Sequence, residues 1–519
     1  MKVTAAPVYH VGDVHEFRSL ERRFVYLVQS AAIFELDDLA AAIIDRIAQG
    51  RVTHDELILD LEARGFATGV AEESIEELRD TYAIICGDSG EAQARAKRER
   101  DSAKPQEKRA ASINVPGGIQ NLTSIPIQTL VLNLTNQCNL SCQYCYEYGA
   151  DKVATPAGKP KFMNFETAKA SVDMLFQQAA RGALQITFFG GETLMNFPLL
   201  KQVVIYARGK AAAESRAVTF SLTTNATLLS PGIIDFIAEN NIGVTVSIDG
   251  PKEMHDKLRV FADGRGSYDI IAPKVRELIE RHRTRPIAAR VTLTSGAVDV
   301  IRIFRHLTDE LGFHEVGFAP VTASPDRLYT INDPGMSGVL EQFHGLADEY
   351  QEFALRGKMH AFSNVTDTLA ELHQGVNKSH PCGAGLGLVG VGPSGDIAPC
   401  HRFVDSDQHA LGHISTGIDK TKQADFLNRG HIGAKYACHT CWARPVCAGG
   451  CHHEAFVRYG DTGHPNLHYC DWIRDWTNKC LEVYGAIAVQ NPEFLESFAQ
   501  TRGGTGRAQR ERDSAKPQE

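Results

Sequence analysis

The sequence lacks the features that would place this protein in a membrane or on nucleic acid. None of its apolar runs approaches the about 20 residues that a bilayer span needs. Its N-terminus lacks an apolar segment of signal-peptide length. It also lacks an excess of positive charge, since its net charge is -9, which argues against nucleic acid as the main partner. We therefore expect a cytoplasmic protein with neither a membrane nor a nucleic acid as partner.

The composition excludes extensive disorder and removes any need for disulfide bonds. Apolar residues make up 43% and charged residues 23% of the 519 residues, which is an ordinary globular balance. The length suffices for about three domains with large cores. In a reducing compartment, we expect the 12 cysteines to be metal ligands or catalytic groups.

Composition and hydrophobic periodicity divide the chain into six segments. In chain order we predict a winged-helix-like element (1–88), a charged flexible linker (89–120), a partial barrel (121–335), a helical bridge (336–379), a loop-dominated, cysteine-rich domain folded around metal (380–480) and a C-terminal helix with a flexible tail (481–519). The linker is rich in charged and small residues, which cannot bury an apolar face. Its decapeptide 98–107 recurs at 510–519, and the sequence offers no reason for the repeat.

The first segment predicts two strands followed by three short helices. Residues 23–28 and 32–36 alternate as the strands of a hairpin do, and helical periodicity follows at residues 38–48, 54–64 and 73–84. Winged-helix domains often bind DNA, but acidic residues dominate the polar positions of this segment. We therefore expect it not to bind DNA, and we expect Cys86 to be a buried small hydrophobic residue.

Six strand-like apolar runs alternate with helical stretches in the central segment. The runs lie at residues 130–135, 184–189, 218–223, 244–248, 288–293 and 316–320. This alternation predicts an α/β fold with a parallel sheet and helices outside it. Active sites of parallel barrels lie at the C-terminal ends of the strands, and the conspicuous motifs of this segment all follow a strand.

Three cysteines follow the first predicted strand in the spacing Cys-x3-Cys-x2-Cys. They are Cys138, Cys142 and Cys145, with Tyr144 directly before the last. Three thiolates on one loop can ligate three irons of a cubane cluster and leave the fourth iron open, whereas a structural zinc site normally takes four ligands. A zinc loop is the alternative interpretation.

The loop resembles the signature of the radical S-adenosylmethionine (SAM) superfamily. This resemblance implies a [4Fe–4S] cluster on the three cysteines, whose open iron binds the amino and carboxylate groups of SAM. Further motifs at the strand ends resemble SAM-contacting segments of the same superfamily, and with Tyr144 they give the expected SAM-binding residues Gly190, Gly191, Glu192, Asn225, Ser247 and Arg259. Ala226 stands where the family segment has glycine. Arg259 is expected to bind the SAM carboxylate through a charge-assisted hydrogen bond.

Asp249 follows the fourth predicted strand and has two interpretations. It is either a catalytic base acting on a substrate thiol or amide, or a turn-capping aspartate.

Seven further cysteines resemble the SPASM domain of radical SAM peptide maturases, which carries two auxiliary [4Fe–4S] clusters. The resemblance implies one complete set of ligands, namely Cys438, Cys441, Cys447 and Cys470. It implies a second set that is one cysteine short, namely Cys382, Cys400 and Cys451. Either another group, with Cys480, His401, His452 and His453 as candidates, completes this second set, or one iron is open to substrate. Two tetrahedral zinc sites are the alternative.

Nearly the whole chain resembles the maturation proteins of quinohaemoprotein amine dehydrogenase, the QhpD family. The segments that carry this resemblance are residues 399–403, 438–445, 451–456 and 463–472. It implies a partial (β/α)6 radical SAM barrel with an N-terminal winged-helix-like peptide-recognition domain and a C-terminal loop-rich iron–sulfur (SPASM) domain. The N-terminal domain would bind the leader segment of a substrate polypeptide by strand addition.

The same resemblance implies the reaction. The enzyme would form thioether crosslinks between cysteine and aspartate or glutamate within the amine dehydrogenase small subunit. It would use SAM, three [4Fe–4S] clusters and a reducing electron donor such as flavodoxin or ferredoxin. Another SPASM peptide modification, namely a carbon–carbon crosslink or formylglycine formation, is one alternative. A non-enzymatic zinc-stabilised scaffold is the other.

Overall fold

The computed structural model describes residues 8–87, 122–147, 149–155, 157–180 and 182–499. The predicted linker, both copies of the decapeptide and residues 500–519 of the predicted tail lie outside the described residues. Among the helices that are described, none combines the length and the apolar character that a membrane span requires.

The N-terminal element contains two antiparallel three-stranded sheets and three helices. Its elements are β1 (Val8–Val11), β2 (Val14–Ser19), β3 (Arg22–Leu27), β4 (Ala32–Leu36), β5 (Val52–Thr53), β6 (Ile84–Gly87), α1 (Asp38–Ala48), α2 (His54–Ala63) and α3 (Thr68–Asp80). One sheet has the order β5-β1-β6 and the other the order β2-β3-β4. The predicted β3–β4 hairpin and the first two helices are confirmed.

Three predictions for this element are wrong. Residues 8–87 contain six strands rather than two. The third helix ends at Asp80 rather than at residue 84, because Tyr82 adopts a left-handed conformation (φ 61°) that ends the helix, and the chain then continues as β6. Cys86 is exposed rather than buried, because it lies on the edge strand β6, whose buried residue is Ile84.

Strand β3 is buried on both faces and joins the N-terminal element to the rest of the molecule. Val25 and Leu27 face the helices of the N-terminal element. Phe24 and Tyr26 belong instead to the main hydrophobic core. Because side chains alternate between the two faces of a strand, β3 contributes to two cores at once.

The central segment contains six parallel strands that pair in chain order. They are β7 (Thr129–Asn133), β8 (Leu184–Phe189), β9 (Val218–Thr224), β10 (Gly243–Ser247), β11 (Ile287–Leu293) and β12 (Glu315–Pro320). The helices between them are α4 (Phe165–Gln178), α5 (Phe197–Ala213), α6 (Pro231–Glu239), α7 (Lys252–His255), α8 (Tyr268–Arg281) and α9 (Val300–Arg305). All six predicted strands are confirmed to within two residues, as is their parallel pairing.

The C-terminal third extends the same sheet. Its elements are β13 (Leu388–Val391), β14 (Asp396–Ala398), β15 (Gly412–His413), β16 (Gly417–Ile418), α10 (Asp333–Leu355), α11 (Ser363–His373), α12 (Lys420–Gly430), α13 (Arg444–Cys447), α14 (His452–Tyr459), α15 (Cys470–Gln490) and α16 (Pro492–Ala499). Strand β13 pairs in parallel with β7, and β14, β15 and β16 follow in antiparallel order, which gives a ten-stranded sheet.

This arrangement corrects the expectation that residues 380–480 fold around metal rather than around a hydrophobic core. Val389, Ile397 and Phe403 are buried and belong to the same core as the central strands. The sequence pattern was misleading because β13 to β16 are only two to four residues long, too short to show a clear period.

Candidate active site

The three cysteines of the first motif lie on the loop that follows β7. Cys138, Cys142 and Cys145 are partly buried. The Cys138 thiol accepts hydrogen bonds from the Leu140 backbone N–H at 3.4 Å and from Asn225 Nδ2 at 3.7 Å. Burial raises the pKa of Cys138 to about 12 and also raises the pKa of Cys142. The positive charge of bound iron would stabilise the thiolate form of these buried thiols, so the loop fits an iron–sulfur cluster.

Within the described residues, no group of three or more His, Cys, Asp or Glu side chains is arranged to hold a single metal ion. A cubane cluster does not need such an arrangement, because each of its cysteine ligands binds a different iron.

The carboxylate of Glu192 connects the ends of β8 and β9. Its Oε1 accepts hydrogen bonds from the Thr224 hydroxyl at 2.7 Å and the Leu194 N–H at 3.0 Å, and its Oε2 accepts one from the Asn225 N–H at 2.7 Å. Glu192 is buried, and this burial raises the pKa of its carboxyl group. The carboxylate thereby fixes Asn225, whose amide in turn reaches Cys138.

Gly190 allows β8 to approach the cysteine loop closely. Its φ is +132°, and a Cβ atom there would lie 2.4 Å from the Thr135 carbonyl oxygen. Gly191 donates its N–H to the same carbonyl at 3.0 Å, and Glu192 donates its N–H to the Gln137 carbonyl at 2.9 Å. Only glycine fits this contact without displacing the loop.

Asp249, Tyr144 and Arg259 form a buried hydrogen-bonded chain beside Cys142. Arg259 Nη1 donates to the Tyr144 hydroxyl at 2.7 Å, and that hydroxyl donates to the Asp249 carboxylate. The Thr292 N–H on β11 donates to Asp249 Oδ1 at 3.0 Å. The charges of Arg259 and Asp249 both act on the Cys142 thiol. The Asp249 side chain therefore connects two strand ends in addition to lying in its own turn.

Burial shifts the pKa values of the ionisable groups in the Asp249–Tyr144–Arg259 hydrogen-bonded chain. It raises the pKa of Asp249, which the neighbouring Arg259 and the Tyr144 hydrogen bond partly counteract. Burial also raises the pKa of Tyr144 well above its usual range. Asp249 can therefore accept a proton more readily than an exposed aspartate.

Ser247 and Gly191, the remaining predicted SAM-binding residues, lie at the same edge of the sheet. Ser247 ends β10 and pairs with Arg290 on β11. Both Ser247 and Gly191 are partly exposed. The structure thus brings the predicted SAM-binding residues to the C-terminal ends of β7 to β10.

The four cysteines expected to hold a complete auxiliary cluster line one cavity. This cavity has a volume of about 310 Å³ and is lined by Cys438, Cys441, Cys447 and Cys470. Burial raises the pKa of Cys438 to about 12 and raises those of Cys447 and Cys470. Four cysteines that line one cavity fit a four-ligand cluster.

One residue of the three-cysteine set, Cys451, lies at a second cavity. The charges of Cys382 and Cys451 both act on Cys400, whose pKa burial raises to about 12. Cys451 lines a cavity of about 630 Å³ together with Arg290 and Arg402. This cavity also reaches β12 and α10, so it lies between the central strands and the C-terminal cysteines.

The four residues considered as a fourth ligand of the three-cysteine set have different surroundings. Cys480 is buried in the hydrophobic core and is hydrogen-bonded to Thr368. His401 packs its ring 4.3 Å from the ring of Phe189. His452 Nδ1 lies 3.1 Å from the Thr462 carbonyl oxygen. His453 is buried, and its two ring nitrogens have no hydrogen-bond partner among the described residues.

Sequence reasoning missed three charged residues around these sites, namely Arg290, Arg402 and Lys435. Arg402 donates to the Thr322 hydroxyl at 3.0 Å, and its guanidinium lies 4.8 Å from the ring centre of Tyr146, which follows Cys145. Arg290 is the one charged residue of β11, and that charge in a strand pattern is the signal that could have found it. Lys435 carried no such signal, because its burial depends on a fold that the sequence does not reveal.

Comparison with known proteins gives a family match and relatives that match over most of their length. Residues 132–295 match the family model described as the radical SAM superfamily. A serine-type anaerobic sulfatase-maturating enzyme of Bacteroides thetaiotaomicron is 26% identical over 374 residues, which cover 66% of this chain and 86% of that protein. A cysteine-type anaerobic sulfatase-maturating enzyme of Clostridium novyi is 24% identical over 380 residues, which cover 70% of this chain and 97% of that protein.

The solved structures most relevant to the site share the fold. Histidine-tagged anSMEcpe with bound AdoMet superposes with a TM-score of 0.59 at 20% identity, covering 71% of this chain and 100% of that one. Native anSMEcpe with bound AdoMet and the Kp18Cys peptide gives a TM-score of 0.58 at 20% identity, with coverages of 71% and 100%. At this identity the likeness shows a common α/β fold with a large mixed sheet.

Proposed function

Because residues 132–295 match the model of the radical SAM superfamily, we propose that this protein is a cytoplasmic SAM-dependent enzyme that oxidises a side chain of a substrate polypeptide. The observation that carries the proposal is the gathering of the Cys138 loop and the Asp249–Tyr144–Arg259 chain at one edge of the parallel sheet. Active sites of parallel α/β folds lie at this edge.

The cysteine sets would hold three [4Fe–4S] clusters. Cys138, Cys142 and Cys145 would bind the cluster that receives SAM, with Ser247 and Arg259 on the polar end of SAM. When bound, this cluster and SAM supply an electron, delivered by flavodoxin or ferredoxin, and a carbon-centred radical that removes a hydrogen atom from the peptide. The C-terminal cysteines would bind two auxiliary clusters that take up the electron released by the oxidised peptide.

Asp249 is the proposed base. Its burial raises the pKa of its carboxyl group, which favours proton transfer from a substrate thiol, hydroxyl or amide. The Tyr144 hydroxyl and the Thr292 N–H hold the carboxylate in place.

The relatives favour formylglycine formation as the product. The proteins that match over most of their length are named serine-type and cysteine-type anaerobic sulfatase-maturating enzymes. A structural neighbour holds both AdoMet and a peptide. These names point to a serine or cysteine side chain in a sulfatase-like peptide as the group that is oxidised.

A thioether crosslink in the quinohaemoprotein amine dehydrogenase small subunit is the second candidate, favoured by the larger cavity. Its wall combines Cys451, from the set that is one thiol short, with Arg290 and Arg402. A substrate thiol could complete the iron ligation there, while the guanidinium groups attract an aspartate or glutamate carboxylate.

Anaerobic incubation with SAM, a reductant and each of two polypeptides tests the proposal. One polypeptide carries a sulfatase-type serine or cysteine segment, and the other is the amine dehydrogenase small subunit with its leader. We expect 5′-deoxyadenosine to form together with one modified peptide in tandem mass spectrometry. An aldehyde that reacts with a hydrazine identifies formylglycine, and a cysteine that resists alkylation identifies a thioether.

The matched control replaces Cys138, Cys142 and Cys145 by alanine. This variant should form no 5′-deoxyadenosine. The proposed function would be contradicted if the variant still formed 5′-deoxyadenosine. It would also be contradicted if wild-type protein that carries iron and sulfide formed none.

A further inference from the structure

Lys435 is a buried cation in the C-terminal cysteine region. The residue is 1% exposed. Its ammonium lies 3.4 Å from the carbonyl oxygens of Ala448 and Gly449 and 3.5 Å from that of Gly450. No ion pair joins it to an acidic side chain within the residues that the structure describes. Burying an ammonium in this way is strongly unfavourable unless an anion compensates it, so negative charge nearby would stabilise the ionised form of Lys435.

Cysteines of both C-terminal sets interact electrostatically with this ammonium. The charge of Lys435 interacts with Cys438 and Cys447 of the four-cysteine set and with Cys451 and Cys382 of the three-cysteine set. Cysteines become anionic ligands when they bind iron. Lys435 therefore lies between the two sets and faces negative charge from both once they are ligated.

The loop that connects the two sets is shaped around the lysine side chain. Cys447 and Cys451 are joined by Ala448, Gly449 and Gly450, which all adopt left-handed conformations with φ values of 47°, 81° and 80°. A Cβ atom at Gly449 would lie 2.5 Å from Lys435 Cδ and 3.0 Å from its Nζ. The loop thus brings three carbonyl oxygens to the ammonium at the cost of an unfavourable conformation at Ala448.

We propose that Lys435 is the shared countercharge of the two auxiliary clusters and stabilises the reduced form of each. This inference rests on the proposed function, because it requires that both clusters are bound. Each cluster gains one negative charge when it takes up one electron from the oxidised peptide. A fixed positive charge in a site of low dielectric constant favours the more negative state.

The test is an EPR-monitored redox titration of the anaerobically reconstituted full chain carrying Lys435→Met. Methionine removes the charge and keeps an unbranched side chain of similar length. We expect the reduced-to-oxidised ratio of both auxiliary clusters at a fixed potential to fall about tenfold or more, which is about 59 mV for a one-electron couple. The potential of the Cys138-loop cluster should stay unchanged. A shift confined to one auxiliary cluster would overturn the shared role.

Lys378→Met provides a matched control. The charge of Lys378 also acts on Cys382 and Cys447, but its ammonium lies 2.7 Å from a Glu371 carboxylate oxygen and 3.0 Å from the Val446 carbonyl. Because Glu371 already neutralises Lys378, its removal should shift the potentials less than that of Lys435. Equal shifts in both variants, or none in Lys435→Met, would contradict the proposal.

Two further variants cover the case in which Lys435→Met fails to load its clusters. Lys435→Arg keeps the charge and should retain the wild-type potentials. Lys435→Gln keeps a donor for the three carbonyls and should behave like the methionine variant. Loss of the auxiliary iron from both neutral variants but not from Lys435→Arg would also support the countercharge, and loss from all three would refute it. Wild-type protein without auxiliary clusters would refute the proposed function itself.

Discussion

At the scale of single residues, burial determines how the ionisable groups of the site behave. Asp249, Arg259 and Glu192 are all buried polar residues at the C-terminal ends of the strands. Each is held by hydrogen bonds to another strand end or to the cysteine loop. Such buried and mutually bonded groups keep a fixed geometry, which a site for radical chemistry requires.

Replacing Asp249 by asparagine tests its role as base. The variant should form product about 100-fold more slowly or worse, because a general base typically contributes at least this factor. It should retain 5′-deoxyadenosine formation, since the cleavage of SAM does not need this proton transfer. Product and 5′-deoxyadenosine are measured together under single-turnover conditions. Unchanged product formation would exclude Asp249 as the base.

The pH dependence of the reaction follows from the raised pKa of Asp249. The base acts only when ionised, so product formation should fall as the pH decreases through its pKa, at a pH above the about 3.9 of an ordinary aspartate. Tyr144→Phe removes a hydrogen bond that lowers this pKa, so the acid limb should move to still higher pH. A profile of single-turnover rate against pH for both proteins checks the shift, and an acid limb that stays in place would contradict it.

Gly190→Ala tests the close approach of β8 to the cysteine loop. The new Cβ would meet the Thr135 carbonyl oxygen, and we expect a loss of stability of about 2 kcal/mol or more with reduced iron at the Cys138 loop. Gly182→Ala is the matched control, because Gly182 has a similar φ of +144° but nothing within 4 Å of a Cβ. Denaturant unfolding and iron content measure the difference, and equal losses in both variants would show that backbone strain alone matters.

At the scale of elements, the N-terminal sheet is fixed against the C-terminal cysteine region. The ring of His15 on β2 stacks on that of Trp442 at 3.5 Å, and Ser19 donates to the Glu482 carbonyl on α15 at 2.6 Å. Arg444, which lines the four-cysteine cavity, pairs with Asp13. One edge of the β2-β3-β4 sheet thus lies on the rest of the molecule, and β4 forms its other edge.

If a leader peptide adds to the β2-β3-β4 sheet as a further strand at β4, then Phe34→Asp should weaken peptide binding. Phe34 is 44% exposed on this edge strand, and a charge there should weaken peptide binding. We expect a higher KM for the leader-bearing polypeptide with little change in kcat. Ile205→Asp is the control, since Ile205 is also an exposed apolar residue but lies on α5 rather than in the N-terminal sheet. Equal KM values for the Phe34 variant and wild type would contradict docking at β4.

At the scale of the whole molecule, the three cysteine sets predict the metal content and a link between metal and stability. Anaerobically reconstituted protein should contain about 12 iron atoms per chain, since each cubane holds four. Replacing Cys438 and Cys470 by alanine should remove about four of them and lower the Tm, because ligand binding to the folded state stabilises it. Iron and sulfide analysis with calorimetry measures both. Bound zinc in place of iron, in colourless protein, would refute the cluster assignment.

The sequence by itself determined the features that depend on local patterns. The six central strands follow from apolar runs whose spacing is set by the helices between them, and Cys138, Cys142 and Cys145 are close because they lie within one loop. The tertiary structure alone decided which distant residues meet. Three such contacts join residues that are far apart in the chain. They are the pairing of β13 with β7, the contact of Tyr144 with Asp249 and the burial of Lys435 between two cysteine sets. Such contacts depend on strand order and packing, and periodicity encodes neither of them.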